Sequence, residues 1–191
     1  MSSHHIVREK QEPALLVLSL ERFNDEFLGQ LLEWSPTVIV PADTAEKLST
    51  AGIKIDVVLS LSASTDDIQS DIKYIHAGAD NYLNTALTYL IANNYPAVNV
   101  VTDSFLLDDY VAFAYKINLV VYCGEQKIYS IISGFGKWKP AGEPIYLMGP
   151  VDNLQTKGLE KVTNNQYHTT SDGFIELQFT QPFIFIAEDI G

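Results

Sequence analysis

Three aspartates, Asp103, Asp108 and Asp109, cluster just behind the apolar run Ala97–Val101. Grouped carboxylates can hold Mg²⁺ through oxygen ligands. The same residues at the start of a helix satisfy free N–H groups and meet the positive end of its dipole, and the spacing here favours that capping role. Asp43, just past the run Thr37–Val40, poses the same choice between helix cap and ligand contact. Ser60, Ser62 and Ser64 follow a third apolar run, at the carboxyl edge where open α/β sheets bind ligands. Ser64 or Thr65 would also cap a turn carrying Asp66 and Asp67. Cys123 is the single cysteine, so neither an internal disulfide nor a multi-thiolate metal site is available. His4 and His5 are adjacent, but with His76 and His168 they give no metal-ligand spacing. Gly29, Gly52 and Gly78 stand alone, and no glycine-rich phosphate loop is present.

These residues need elements to position them. Ala14–Ser19, Thr37–Val40, Asp56–Leu61 and Ala97–Val101 read as buried strands. Between them, Asp25–Trp34 has helical spacing behind Asn24 as N-cap, and Thr44–Thr50 ends at Gly52, a C-cap position. Residues 81–93 form the clearest helix, with Leu83, Ala86, Leu87, Leu90 and Ile91 in one apolar stripe. Leu106–Tyr115 reads as the next helix. Strands alternating with helices imply crossover units and a parallel sheet covered on both faces. From about Asn118 the texture changes. Leu119–Cys123, Lys127–Ile132, Pro144–Met148, Phe174–Phe179 and Phe183–Ala187 read as strands separated by glycine turns, with no convincing helix. The chain is therefore expected to be an α/β parallel-sheet domain over 1–117, followed by an antiparallel β-sandwich over 118–191.

Composition narrows the function. The 191 residues carry a formal charge of −12, with 47% hydrophobic and 19% charged side chains. Such a chain can bury a core, and lacks the clustered basic residues that nucleic acid or an anionic membrane would need. No apolar run approaches the roughly 20 residues of a membrane span. Residues 1–13 are polar and partly acidic, unlike a secretory signal or transit peptide. A cytoplasmic location is expected.

Particular strings carry a resemblance. TVIVPADTAEKLSTAGIKIDVVL, TALTYLIANNYPAVNVV and FGKWKPAGEPIYLMGPV, with the element order, resemble the thiamin pyrophosphokinase family. The opening SSHHIVREKQEPALLV is similar to that of Bacteroidetes-type members. The resemblance implies a Rossmann-like α/β/α catalytic domain, a thiamin-binding β-sandwich and a homodimer with sites at the subunit interface. It also implies transfer of a pyrophosphoryl group from ATP to thiamine with Mg²⁺.

The family's functional motifs are altered. Where it has G-D-x-D-S, this chain has Ser60, Leu61, Ser62, Ala63 and Ser64. Where it has D-Q-[DN]-x-T-D, Ala77, Gly78, Ala79, Asp80, Asn81 and Tyr82 stand. Where it has G-x-R-x-D-H, Phe105, Leu106, Leu107, Asp108, Asp109 and Tyr110 stand. Thr169-Thr170-Ser171 is a weak substitute for its serine-serine-asparagine element. Asp43 and Asp109 are kept and are the expected ligand-binding residues; no catalytic or metal-binding residue is expected.

Leucine and alanine side chains provide no oxygen for Mg²⁺, and stabilising arginines in phosphoryl transfer are worth roughly 10³–10⁵ in rate. The expected protein is a catalytically silent relative that uses neither Mg²⁺ nor ATP. It would act as a homodimeric binder of a thiamine-like small molecule, Trp138, Tyr122, Tyr129 and Tyr146 offering a stacking wall. The alternatives are an active enzyme whose metal site is displaced onto Asp80, Asp103 and Asp108, or a structural partner of an active relative.

Overall fold

Every residue of the segment ALLV at Ala14–Val17 is buried, as a strand covered on both faces requires. The computed structural model describes residues 12–61, 71–78 and 81–190. Its first half alternates strand and helix: β1 (Ala14–Val17), α1 (Asp25–Leu32), β2 (Val38–Pro41), α2 (Ala42–Thr50), β3 (Val57–Ser60), β4 (Lys73–His76), α3 (Tyr82–Ala92), β5 (Ala97–Thr102) and α4 (Leu107–Val111). Its second half has strands only: β6 (Asn118–Cys123), β7 (Gln126–Ile131), β8 (Phe135–Lys139), β9 (Pro144–Leu147), β10 (Gln155–Lys157), β11 (Leu159–Lys161), β12 (Gln166–Thr169), β13 (Gly173–Gln178) and β14 (Ile184–Asp189).

The strands form a large mixed sheet in the order β11-β12-β9-β14-β7-β6-β5-β1-β2-β3-β4 and a small sheet β10-β13-β8. All pairs from β6 to β4 are parallel, and all pairs from β6 to β11 are antiparallel. The expected α/β class with an antiparallel second half is what the chain adopts. The large sheet runs without interruption through residue 117, because β6 pairs with β5 on one side and β7 on the other.

Alternation along the parallel strands sends side chains to two cores. Ala14, Leu16, Val98 and Val100 meet α3 and α4 through Ala86, Leu87, Leu90 and Tyr110. Leu15, Val17, Val38 and Val40 meet α1 and α2 through Leu28 and Leu48. The helices are bounded by the chemistry their ends require. Asn24 caps α1 by accepting the N–H of Glu26 at 2.7 Å, and Asn81 caps α3 by accepting that of Asn84 at 2.9 Å. Gly52 (φ 76°) ends α2 and Asn94 (φ 59°) ends α3 in the left-handed conformation. Each is followed by a residue whose N–H reaches back to the helix, Ile53 to Leu48 and Tyr95 to Leu90, both at 3.0 Å.

Two expectations need correction. The helix expected over Leu106–Tyr115 is only Leu107–Val111, followed by turns. β4, β8, β10, β11 and β12 were not anticipated, because their apolar content is low or inverted. In β8 the inward side carries Phe135 with Lys137 and Lys139, while Trp138 points outward and is 54% exposed.

The small sheet closes over the antiparallel part of the large one. Ile131, Ile145, Leu147, Ile175, Leu177, Ile184 and Ile186 fill the space between them. No helix among the described residues is long and apolar enough to cross a membrane.

Candidate functional site

The path of the parallel half places a topological switch between β1 and β5. The chain leaves β1 into α1, against one face of the sheet, and leaves β5 into α4, against the other. Loops that diverge in this way open a crevice at the carboxyl ends of the strands, the usual ligand position in open α/β sheets. Here the two loops are tied together. Asp103 accepts the N–H of Glu21 at 3.1 Å through one carboxylate oxygen and that of Arg22 at 2.9 Å through the other. Its own N–H donates to Ser19 Oγ at 2.8 Å. Thr44, in the first turn of α2, donates to the Leu18 carbonyl at 3.1 Å from the adjacent strand end.

Burial pushes the Asp103 carboxyl up. Hydrogen bonds from Ser19 and the Glu21 and Arg22 amides, with the Arg22 charge, outweigh it and hold the group below the usual aspartate range. Nearby Cys123 is shifted the other way, raised by burial first and then by the Asp103 charge, against an opposing pull from Arg22. Beside this crevice lies a cleft of 620 Å³ between the start of α1 and the β6–β7 turn, lined by Glu21, Arg22, Phe23, Phe27 and Glu125.

The two expected ligand residues are not brought together. Asp43 is exposed in the first turn of α2 and Asp109 in the first turn of α4, so they stand against opposite faces of the sheet. Neither makes a hydrogen bond through its side chain among the described residues. Asp43, Asp108 and Asp109 do lie in first turns, where the helix dipole favours negative charge, but none of them is the N-cap residue. The N-caps are Pro41 for α2 and Leu106 for α4, and neither makes a side-chain cap bond. Asp103 instead binds backbone amides about 80 residues away in the chain.

Leu107, where the resemblance expects an arginine, packs against the core beside Phe105, which stacks on buried Tyr110 at 4.9 Å. Ser60 ends β3 and Leu61 is 45% exposed. His4, His5, Ser62, Ala63, Ser64, Thr65, Asp66, Asp67, Ala79 and Asp80 lie outside the described residues. His76 is exposed at the end of β4, whereas half-buried His168 meets Gln166 at 3.1 Å. Thr169 is buried and committed locally, donating to the Pro140 carbonyl at 2.6 Å and accepting the Glu143 N–H at 2.8 Å.

The four aromatics expected to form a wall are scattered. Tyr122 packs with Phe23 and Phe27 in one core of the parallel sheet, and Tyr146 lies against the other. Tyr129 lies inside the sandwich, and Trp138 is outside it.

Sequence reasoning also missed a buried polar group in the sandwich. Glu188 accepts from Tyr129 Oη at 2.7 Å and Lys137 Nζ at 2.6 Å, with Lys139 Nζ at 3.4 Å. The signal was present in β14, since position 188 is in phase with inward Ile184 and Ile186. Burial raises the Glu188 pKa, but the Lys137 and Tyr129 hydrogen bonds and the two lysine charges bring it below the ordinary value. These bonds are saturated within the chain, and the arrangement is a structural brace.

No family model matches the sequence, and no curated protein matches it. Solved structures do match over nearly the whole chain. Thiamin pyrophosphokinase from Geobacillus thermodenitrificans superposes with a TM-score of 0.67 at 9% identity, covering 92% of this chain and 97% of that one. Thiamine pyrophosphokinase from Bacillus subtilis gives 0.63 at 12%, covering 94% and 100%. The enzyme from Candida albicans gives 0.63 at 13%, covering 94% and 89%. At such identities the likeness speaks for architecture, and the mixed sheet with its closing small sheet is the thiamin pyrophosphokinase fold.

Proposed function

We propose that this chain is a thiamin pyrophosphokinase-like protein that has lost phosphoryl transfer and serves as a small-molecule binder or regulator in thiamin diphosphate metabolism. One observation carries the reading. The positions that the resemblance assigns to the metal-holding acids and to the charge-compensating arginine carry Leu61, Ala63 and Leu107, and Leu107 packs against the core. Phosphoryl transfer depends on positioning and on neutralising developing charge. Among the described residues these positions offer neither a carboxylate pair nor a guanidinium. The donor set does not fit Mg²⁺ with a nucleotide.

The ligand in this reading is a thiamine-like molecule, with Asp43 and Asp109 as its polar contacts. By the same resemblance the contacts lie between two copies of the chain, and the protein works as a cytoplasmic homodimer. Two measurements test this. Incubated with ATP, Mg²⁺ and thiamine at high protein concentration, the pure protein forms no thiamin diphosphate; turnover would refute the silent reading. Calorimetric titration with thiamine alone gives saturable heat that falls in Asp43→Ala and Asp109→Ala. A flat titration at millimolar thiamine would refute the binding reading.

A further inference from the structure

Two backbone N–H groups converging on one point form the kind of concavity in which proteins hold phosphate and other oxyanions. At the switch point, the amides of Glu21 and Arg22 converge in this way, one on each oxygen of the Asp103 carboxylate, at 3.1 and 2.9 Å. The contact is long-range, so it is not the local side-chain turn that an aspartate makes with its own neighbours. The position is also the one that the crossover geometry opens to ligands, and Glu21 and Arg22 line the 620 Å³ cleft beside it.

We propose that Asp103 is a built-in occupant of an anion-binding position, closing the switch-point crevice to ligands that carry phosphate or pyrophosphate. This rests on the reading of the crevice as a vacated phosphoryl-transfer cleft. A carboxylate delivered by its own chain acts at high effective concentration, so a free anion in solution competes poorly for the same two amides. The arrangement also joins the loops after β1 and β5, which lead to opposite faces of the sheet. Asp103 is thus an exclusion residue as well as a tie. A tie alone predicts only lost stability on removal, whereas an occupant predicts that removal uncovers a site.

The experiment titrates the full chain with inorganic pyrophosphate while following the Glu21 and Arg22 amides by ¹⁵N NMR. In the wild-type protein the two amides do not respond at millimolar pyrophosphate. In Asp103→Ser both shift saturably, with an apparent affinity at least about tenfold tighter than in the wild type. If Asp103→Ser does not fold, Asp103→Asn retains the volume but loses the charge and one acceptor, and shows a smaller gain at the same amides. Amide exchange in the wild-type protein gives an independent readout, with Glu21 and Arg22 protected. A folded variant indifferent to pyrophosphate, saturable wild-type binding at these amides, or unprotected wild-type amides would each overturn the proposal. Formation of thiamin diphosphate by the wild-type protein refutes the silent reading, whereas an indifferent Asp103→Ser refutes only this one.

Discussion

The strand ends of the parallel half and the interior of the sandwich satisfy their carboxylates in different ways. In the parallel half, carboxylates sit at strand ends and bind backbone amides: Asp103 takes those of Glu21 and Arg22, and Asp56 takes that of Val38 at 2.9 Å. In the sandwich, Glu188 lies between two sheets and is met by the side chains of Tyr129, Lys137 and Lys139. The difference follows from where free amides exist. Strand ends and loops leave N–H groups without a ladder partner, whereas inside a sandwich the ladders use them and only side chains remain to satisfy a buried charge. Loop carboxylates can therefore be exchanged for a ligand, while the buried one is fixed in place.

The largest effect should come from the sandwich. Glu188→Ala leaves buried Lys139 with only the more distant and exposed Glu143 carboxylate at 3.8 Å, and should destabilise the fold by about 3–5 kcal/mol, measured by urea unfolding. A loss below that of a surface substitution would erase the contrast between the halves. The pH dependence has a definite sign. The native carboxyl binds its proton less tightly than the unfolded one, so its stabilisation is present above the ordinary glutamate range. It is lost as pH falls through the depressed native value. Glu188→Gln should remove this part of the acid limb from the stability profile.

Asp56→Ala should cost less, about 1–2 kcal/mol, because one amide loses its partner at a half-exposed site. The Lys54 contact at 3.0 Å adds little, since that lysine is largely exposed. The smallest effect should come from the pair Lys157–Glu176 on the outer face of the small sheet, 3.9 Å apart and exposed. A double-mutant cycle there should give roughly 0–1 kcal/mol, shrinking as salt is added. A coupling that is large and insensitive to salt would show that the outer face is not solvated in solution.

The sequence pattern revealed the interior of the fold better than its margins. β1, β2, β3 and β5 were legible because strands covered on both faces are continuously apolar. β4, with the sequence KYIH, pairs only with β3 among the described residues and is mostly exposed, so no apolar run marks it. β8 inverts the usual alternation, since its lysines face a buried carboxylate. At the candidate site, helix positions were legible to within a few residues because apolar spacing and end signals such as Asn24 and Gly52 are local. Asp103 was legible as a candidate but its tie was not, because its partners lie across the switch point and no spacing along the chain encodes that meeting. Asp43 and Asp109 were located by resemblance, and their separation across the sheet followed only from topology.

One consequence concerns β6, which is hydrogen-bonded to β5 through six residue pairs and to β7 through four. A cut before Asn118 would leave β5 as a bare, strongly apolar margin with unpaired N–H and C=O groups, a template for fibril-like self-association. The chain therefore resists being shuffled as two exchangeable modules, and recombination at that point would yield insoluble fragments before it yielded new proteins.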